Sequence, residues 1–228
     1  RGQGGQLPWA VSEYNGVHDL ELHTWPGLEA QVAALSDDIA YNSHDLDDGL
    51  RAELFSLDDL ADVPLVGPII ERVRTTYPDL ELARIIHETV RRMIDAMVND
   101  VLAETRRRIV DGNPQSVEDI RAHGEAYVAF SDAIDAQNRA LKRFLFERMY
   151  RHFKVNRMTS KARRVVADLF TLLLDEPDCL PSLWREKAEA AENETARARL
   201  VADYIAGMTD RFANDEHRRL FDLYDESS

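Results

Sequence analysis

Asp37, Tyr41 and Asp45 stand at i, i+4 and i+8 within the run LEAQVAALSDDIAYNSHDLDDGL, residues 28–50. On a helix each four-residue step turns by about 400°, so these three side chains share nearly one face. An aromatic ring between two carboxylates can grip a metal ion at one end and a sugar hydroxyl at the other. The same row also reads as a solvated surface. Val32, Leu35, Ile39, Leu46 and Leu50 form an apolar stripe roughly opposite it. Two features favour a site. Ala30, Ala34 and Tyr41 share the polar side, which could therefore pack against a second layer. Asp37, Asp38, Asp45, Asp47 and Asp48 also crowd one segment, although aspartate is a poor helix-interior residue and like charges at i, i+4 repel.

A second run with chemical content is LKRFLFERMYRHFKVNRMTSKARRVV, residues 141–166. Lys142, Arg148, Arg151, Lys154, Arg157, Lys161, Arg163 and Arg164 alternate with Phe144, Phe146, Tyr150 and Phe153. Such interleaving can bind single-stranded nucleic acid by phosphate pairing and base stacking. It can equally hold the phosphates and base of one nucleotide, with arginine as bidentate partner. An amphipathic helix with a charged outer face accounts for the letters just as well.

Other motifs fail on spacing. His44-Asp45 spells a metal pair, but adjacent helical residues point about 100° apart, and His44 reads as a surface histidine. His87-Glu88 lacks the histidine four residues after the first, where Arg91 stands. No glycine-rich phosphate loop occurs. Cys179 is the single cysteine, so no internal disulfide or zinc-thiolate cluster is possible, and its EPDCLP setting reads as an inter-helix turn.

These residues must be carried by helices. The chain has 228 residues, 44% hydrophobic and 31% charged, enough for one or two domains with a real core. Its 42 acidic and 28 basic residues give a net charge of −14, which argues against nucleic acid as a general partner and suits a polyanionic small ligand at a local basic band. No apolar run reaches membrane-span length and no signal peptide is visible, so a cytoplasmic location is expected. The glycine-rich opening RGQGGQLPW lacks methionine and reads as an internal start, flexible over residues 1–9.

Glycine and proline are sparse and fall between periodic segments. The spacing predicts helices over residues 10–14, 28–51, a short one between Ser56 and Pro64, 68–77, 80–110 and 116–123. A helix capped by Ser131 should run to Met158, and the next, capped at Thr159 or Ser160, to Leu174. An Ala/Glu-rich exposed stretch covers 186–194, and the last two helices cover 193–212 and 215–224. In the longest element Ile86, Val90, Met93, Met97 and Val101 form a stripe, widened by Ile94, Val98 and Leu102. A stripe so wide should be buried between neighbours, with the methionines in the core. The expected fold is all-α, one helical domain over residues 1–228.

The segment LEAQVAALSDDIAYNSHDLDDGLRAELFSL, with YRHFKVNRM and the late DYIAGMTDRFANDEHRRLFDL, resembles the deoxyguanosinetriphosphate triphosphohydrolase-like proteins of the HD superfamily. The resemblance runs from Leu7 to Leu223. It implies a metal-dependent, all-helical enzyme that hydrolyses a dNTP to the deoxynucleoside and inorganic triphosphate. By resemblance, Asp37 is a ligand of the divalent metal (Mg, Mn or similar). Tyr41 and Tyr150 flank the deoxyribose, Asp45 contacts the 3′-hydroxyl, Arg151 the base edge and Lys142 a phosphate. A distant relative carries lysine just after the metal aspartate, where this chain has Asp38. The family's first histidine, its His-Asp pair and its catalytic residues fall upstream of Leu7. The resemblance therefore implies a carboxy-terminal part with the HD portion missing, one metal ligand of four, and no activity alone. It also implies homo-oligomers. The rival reading is a helical oligomerisation or single-stranded nucleic-acid-binding module.

Overall fold

The computed structural model describes residues 7–222 of the chain. The described residues are helical with short connections, in the order α1 (Trp9–Val17), α2 (Leu28–Arg51), α3 (Gly67–Thr76), α4 (Leu82–Gly112), α5 (Val117–Ala122), α6 (Asp132–Leu145), α7 (Phe153–Asp175), α8 (Ser182–Glu189), α9 (Glu194–Ala206) and α10 (Asp210–Phe221). The all-α fold is as expected. Two compact units appear, Arg1–Met149 and Tyr150–Ser228, where the sequence reading has a single domain. Of the flexible start expected over residues 1–9, positions 1–6 lie outside the described residues, and Trp9 already opens α1.

In the first unit α2 and α3 pack on the long α4, and α6 packs on α2. Their shared core includes Ile39, Leu46 and Leu50 from α2, Ile70 from α3, Met93 and Met97 from α4, and Leu141 and Leu145 from α6. Both methionines are fully buried, as their place in the stripe requires. The rest of that stripe behaves differently. Ile94, Val98 and Leu102 are exposed rather than buried, because the neighbouring helices of this unit cover only the Ile86–Met93–Met97 side of α4. On α2, Val32 is likewise 48% exposed. Its place inside is taken by Gln31, whose amide donates to the Pro26 carbonyl at 2.8 Å and whose oxygen accepts from the Val128 amide at 3.0 Å. Satisfied in this way, a polar side chain can be buried at little cost.

Local signals set most helix ends. Ser116 and Asp119 form a reciprocal capping box on α5. Ser131 caps α6 and also bonds the Asp100 carboxylate on α4, at 2.7 Å through Oγ and 2.8 Å through its amide. The short helix expected before Pro64 is a single 3-10 turn, Asp58–Leu60. There the Asp59 carboxylate takes the Ser56 amide and hydroxyl and meets Arg148. These bonds hold the Asp59 carboxyl below the usual carboxylate range.

The main correction concerns residues 131–174. The helix does not run on to Met158. It ends at Leu145, widens into a π turn over Phe146–Tyr150 and breaks at Arg151 and His152. The His152 backbone is extended, and its ring nitrogen Nδ1 accepts the Lys154 amide at 3.3 Å. Histidine thus does the capping that Thr159 or Ser160 was expected to do, and α7 passes through both without interruption. The second unit packs α7, α8 and α9 around Leu173, Leu180, Ala188 and Val201, and α10 lies on α7. Ala188 is buried, so the Ala/Glu-rich stretch is not wholly exposed. Gly207, Met208 and Thr209 separate the last two helices earlier than expected, because Thr209 caps α10 through the Phe212 amide. The expected end at Tyr224 lies outside the described residues.

Candidate functional site

Asp37, Tyr41 and Asp45 lie along the solvent side of α2, the helix expected for them. Asp37 and Tyr41 are exposed, Tyr41 by 58%, and Asp45 is half-buried. The row is accessible to a ligand. It sits on a firm base, because Ile39, Leu46 and Leu50 on the opposite side of the helix are buried. Glu29 in the first turn and Arg51 in the last complement the helix dipole. Arg51 also pairs with Asp47 at 2.6 Å, which raises the guanidinium pKa further.

Lys142 is brought to this helix from α6. Its ammonium donates to both Asp38 oxygens, at 2.6 and 2.7 Å. The residue next to Asp37 is thereby paired with the cation that the resemblance assigns to phosphate. One turn away, the Asn42 amide donates to the Asn138 oxygen at 3.3 Å, and the Asn138 amide reaches Asp38 at 3.5 Å. Asn42 and Asn138 are only 5% and 3% exposed. The sequence reading passed over both. A signal was present: Asn138 falls in register with Ile134, Leu141 and Leu145 on the apolar side of α6. A polar residue on a core stripe needs a partner.

Tyr150 closes the π turn and Arg151 follows in the break. Both are exposed, and the Arg151 carbonyl accepts from Asn156 Nδ2 at 2.9 Å, which ties the break to the first turn of α7. The two belong to the second unit, whereas Asp37, Tyr41, Asp45 and Lys142 belong to the first. Within the first unit the expected residues split into the open α2 row and the Asp38–Lys142 pair.

Among the described residues no three His, Cys, Asp or Glu side chains converge where an ion could be held. Asp37 offers one carboxylate, and the described residues do not by themselves make a divalent-metal shell. His44 is exposed and lines a small apolar groove of about 230 Å³ with Ile39, Ala40, Val90, Ile94 and Val98. It is a surface histidine, as its isolation suggested. His87 is exposed too. Its neighbour Glu88 takes Arg91 and Arg92 at 2.7 to 2.8 Å, and these bonds lower its carboxyl pKa to about 2. Cys179 lies in a 3-10 turn. Burial, with Glu176 and Asp178 nearby, raises its thiol pKa, which opposes a nucleophilic role.

Residues 128–219 match the phosphohydrolase-associated domain. That match agrees with an all-α, HD-superfamily-type architecture. A deoxyguanosinetriphosphate triphosphohydrolase-like protein of Parvibaculum lavamentivorans is 54% identical over 219 residues, covering 96% of this chain. Proteins of the same description from Caulobacter vibrioides and Azorhizobium caulinodans are 54% and 49% identical over 96% and 98% of the chain. The chain is a relative of the deoxyguanosinetriphosphate triphosphohydrolase-like proteins. It spans 55% to 56% of the length of these three triphosphohydrolase-like relatives. Among the described residues no helix is long and apolar enough to cross a membrane.

Proposed function

We propose that this chain is the carboxy-terminal part of a dGTPase-like triphosphohydrolase that acts in the cytoplasm. The observation that carries this reading is the 54% identity to proteins of that description over 96% of the chain. Water adds to the α-phosphorus of a dNTP, the bond from phosphorus to the 5′-oxygen breaks, and the leaving oxygen takes a proton. The products are a deoxynucleoside and an intact triphosphate.

The open face of α2 supplies sugar and phosphate contacts in this reading. Tyr41 offers its ring to the deoxyribose, and Asp45 accepts a hydrogen bond from the 3′-hydroxyl. A ring against the sugar leaves little room for a 2′-hydroxyl, which favours deoxynucleotides. Lys142 meets the phosphate chain. Tyr150 and Arg151, which belong to the second unit, are by resemblance contacts to the deoxyribose and the base edge. Asp37 is one carboxylate ligand of a divalent metal (Mg or Mn) whose other ligands belong to the longer protein. The piece by itself is therefore expected to lack turnover.

The test is dNTP hydrolysis by the full-length protein with Mn²⁺, reading inorganic triphosphate and bound metal together. Release of triphosphate by the wild type, with loss of both turnover and metal in Asp37→Ala, is the expected result. Monophosphate or pyrophosphate as product, or full metal content and activity in Asp37→Ala, would overturn it.

A second reading draws on the exposed cations of α7. Lys154, Arg157, Lys161 and Arg164 share one side of α7 and are all exposed, and Arg157 stacks over Phe153 at 5.6 Å. This face suits single-stranded nucleic acid or assembly into homo-oligomers. Affinity for an oligonucleotide that falls steeply with salt supports it; salt-independent or absent binding opposes it.

A further inference from the structure

The polar bridge between α2 and α6 is built as two rungs. Asp38 and Asn42 are one turn apart on α2, and Asn138 and Lys142 one turn apart on α6. The closed rung is the buried Asn42–Asn138 pair. The open rung is Asp38–Lys142, with side chains 36% and 42% exposed. A buried amide pair has few arrangements that satisfy it. Here Asn138 accepts from Asn42 through its oxygen and turns its amide nitrogen toward Asp38 Oδ2, at 3.5 Å.

The consequence is electrostatic. A lysine chelated by both oxygens of one carboxylate is part of a neutral pair, and it draws a distant anion only weakly. Phosphate oxygens offer the same chemistry as the carboxylate, so a polyphosphate chain can take the place of Asp38 on the ammonium. Both side chains reach water, so the exchange requires no unpacking of the core. Asp37 and Tyr41 stand on the same stretch of α2, close to where the exchange would happen.

We propose that Asp38 is a built-in competitor for the ammonium of Lys142, and that it sets how tightly the protein holds a polyphosphate chain. Asn138 stands beside the competitor, its amide nitrogen 3.5 Å from Asp38 Oδ2. This inference rests on Lys142 being the polyphosphate contact of the proposed function. It adds a residue that weakens ground-state binding and so limits product retention as well as substrate affinity.

The test is a double-mutant cycle in the full-length protein with Asp38→Asn, Lys142→Met and both together. Two quantities are read: KM for the dNTP, and Kd for inorganic triphosphate by calorimetry without turnover. Asp38→Asn should tighten triphosphate about two- to fivefold, the range expected for releasing a half-exposed ion pair. Lys142→Met should weaken it, and the gain from Asp38→Asn should vanish in the Lys142→Met background. Asp38→Ser repeats the test with a side chain too short to replace the carboxylate. Tightening that persists without Lys142 overturns the proposal, since Asp38 would then act as a general repulsive charge. Weaker or unchanged binding in both Asp38 variants overturns it as well. If the wild type neither binds triphosphate nor releases it from a dNTP, the proposed function fails. If the wild type turns over and the cycle shows no coupling, only the competitor role fails.

Discussion

Glu104 accepts bonds from Arg107 and Arg108 at 2.7 to 2.8 Å, and these bonds lower its carboxyl pKa from 4.5 to about 2. A carboxyl whose folded pKa is depressed adds stability that is present above its unfolded pKa and fades as pH falls through the folded one. The window is therefore from about pH 4.5 down to about 2. Thermal melts at pH 5 and pH 3 should show a smaller loss for Glu104→Gln than for the wild type; equal losses would assign acid sensitivity elsewhere. Cys179 gives a second expectation at this scale. Its raised pKa should make a disulfide reagent react more slowly at pH 8 than with a free thiol of ordinary pKa. Residue types alone pointed to the Asp37–Tyr41–Asp45 row, because period and exposure agree on one helix. They could not reveal Asp38–Lys142. Its partners are 104 positions apart, and pairing across that distance follows from how α2 and α6 pack.

Helix ends were legible where a local cap made them. The capping box of Ser116 and the Ser131 cap behave as their letters indicate, and α2 begins after Pro26-Gly27 as expected. The break at residues 151–152 was hidden for a physical reason: basic and apolar residues keep a helical rhythm through it, and the cap is a histidine. The corner between the 3-10 turn and α3 offers a test of packing at this scale. A Cβ added at Gly67 would collide with the Ala61 carbonyl oxygen, which is backbone and cannot swing aside. Gly67→Ala should lower stability by about 1–3 kcal/mol, the usual cost of forcing atoms into a filled space. Chemical denaturation reads this directly, and an unchanged midpoint would mean the corner yields freely.

The two compact units were not legible, since the periodic pattern runs through residues 146–153 without a linker-like composition. Their cores differ in extent. The first draws on α2, α3, α4 and α6, whereas the second closes around Leu173, Leu180, Ala188 and Val201. Native-state hydrogen exchange should therefore show the amides of α8 and α9 exchanging faster than those at the centre of α4; equal protection would indicate one cooperative unit. The outer edge of α4 bears on how the protein behaves in a tube. Ile94, Val98 and Leu102 present a slanting apolar row to water, next to the groove under His44. Such a row attracts other greasy surfaces. The isolated polypeptide should light up an environment-sensitive dye and turn cloudy as it is concentrated. Val98→Glu with Leu102→Lys should keep it clear, at a modest cost in melting temperature, because the two side chains are 41% and 48% exposed and lose only part of their burial when they become charged.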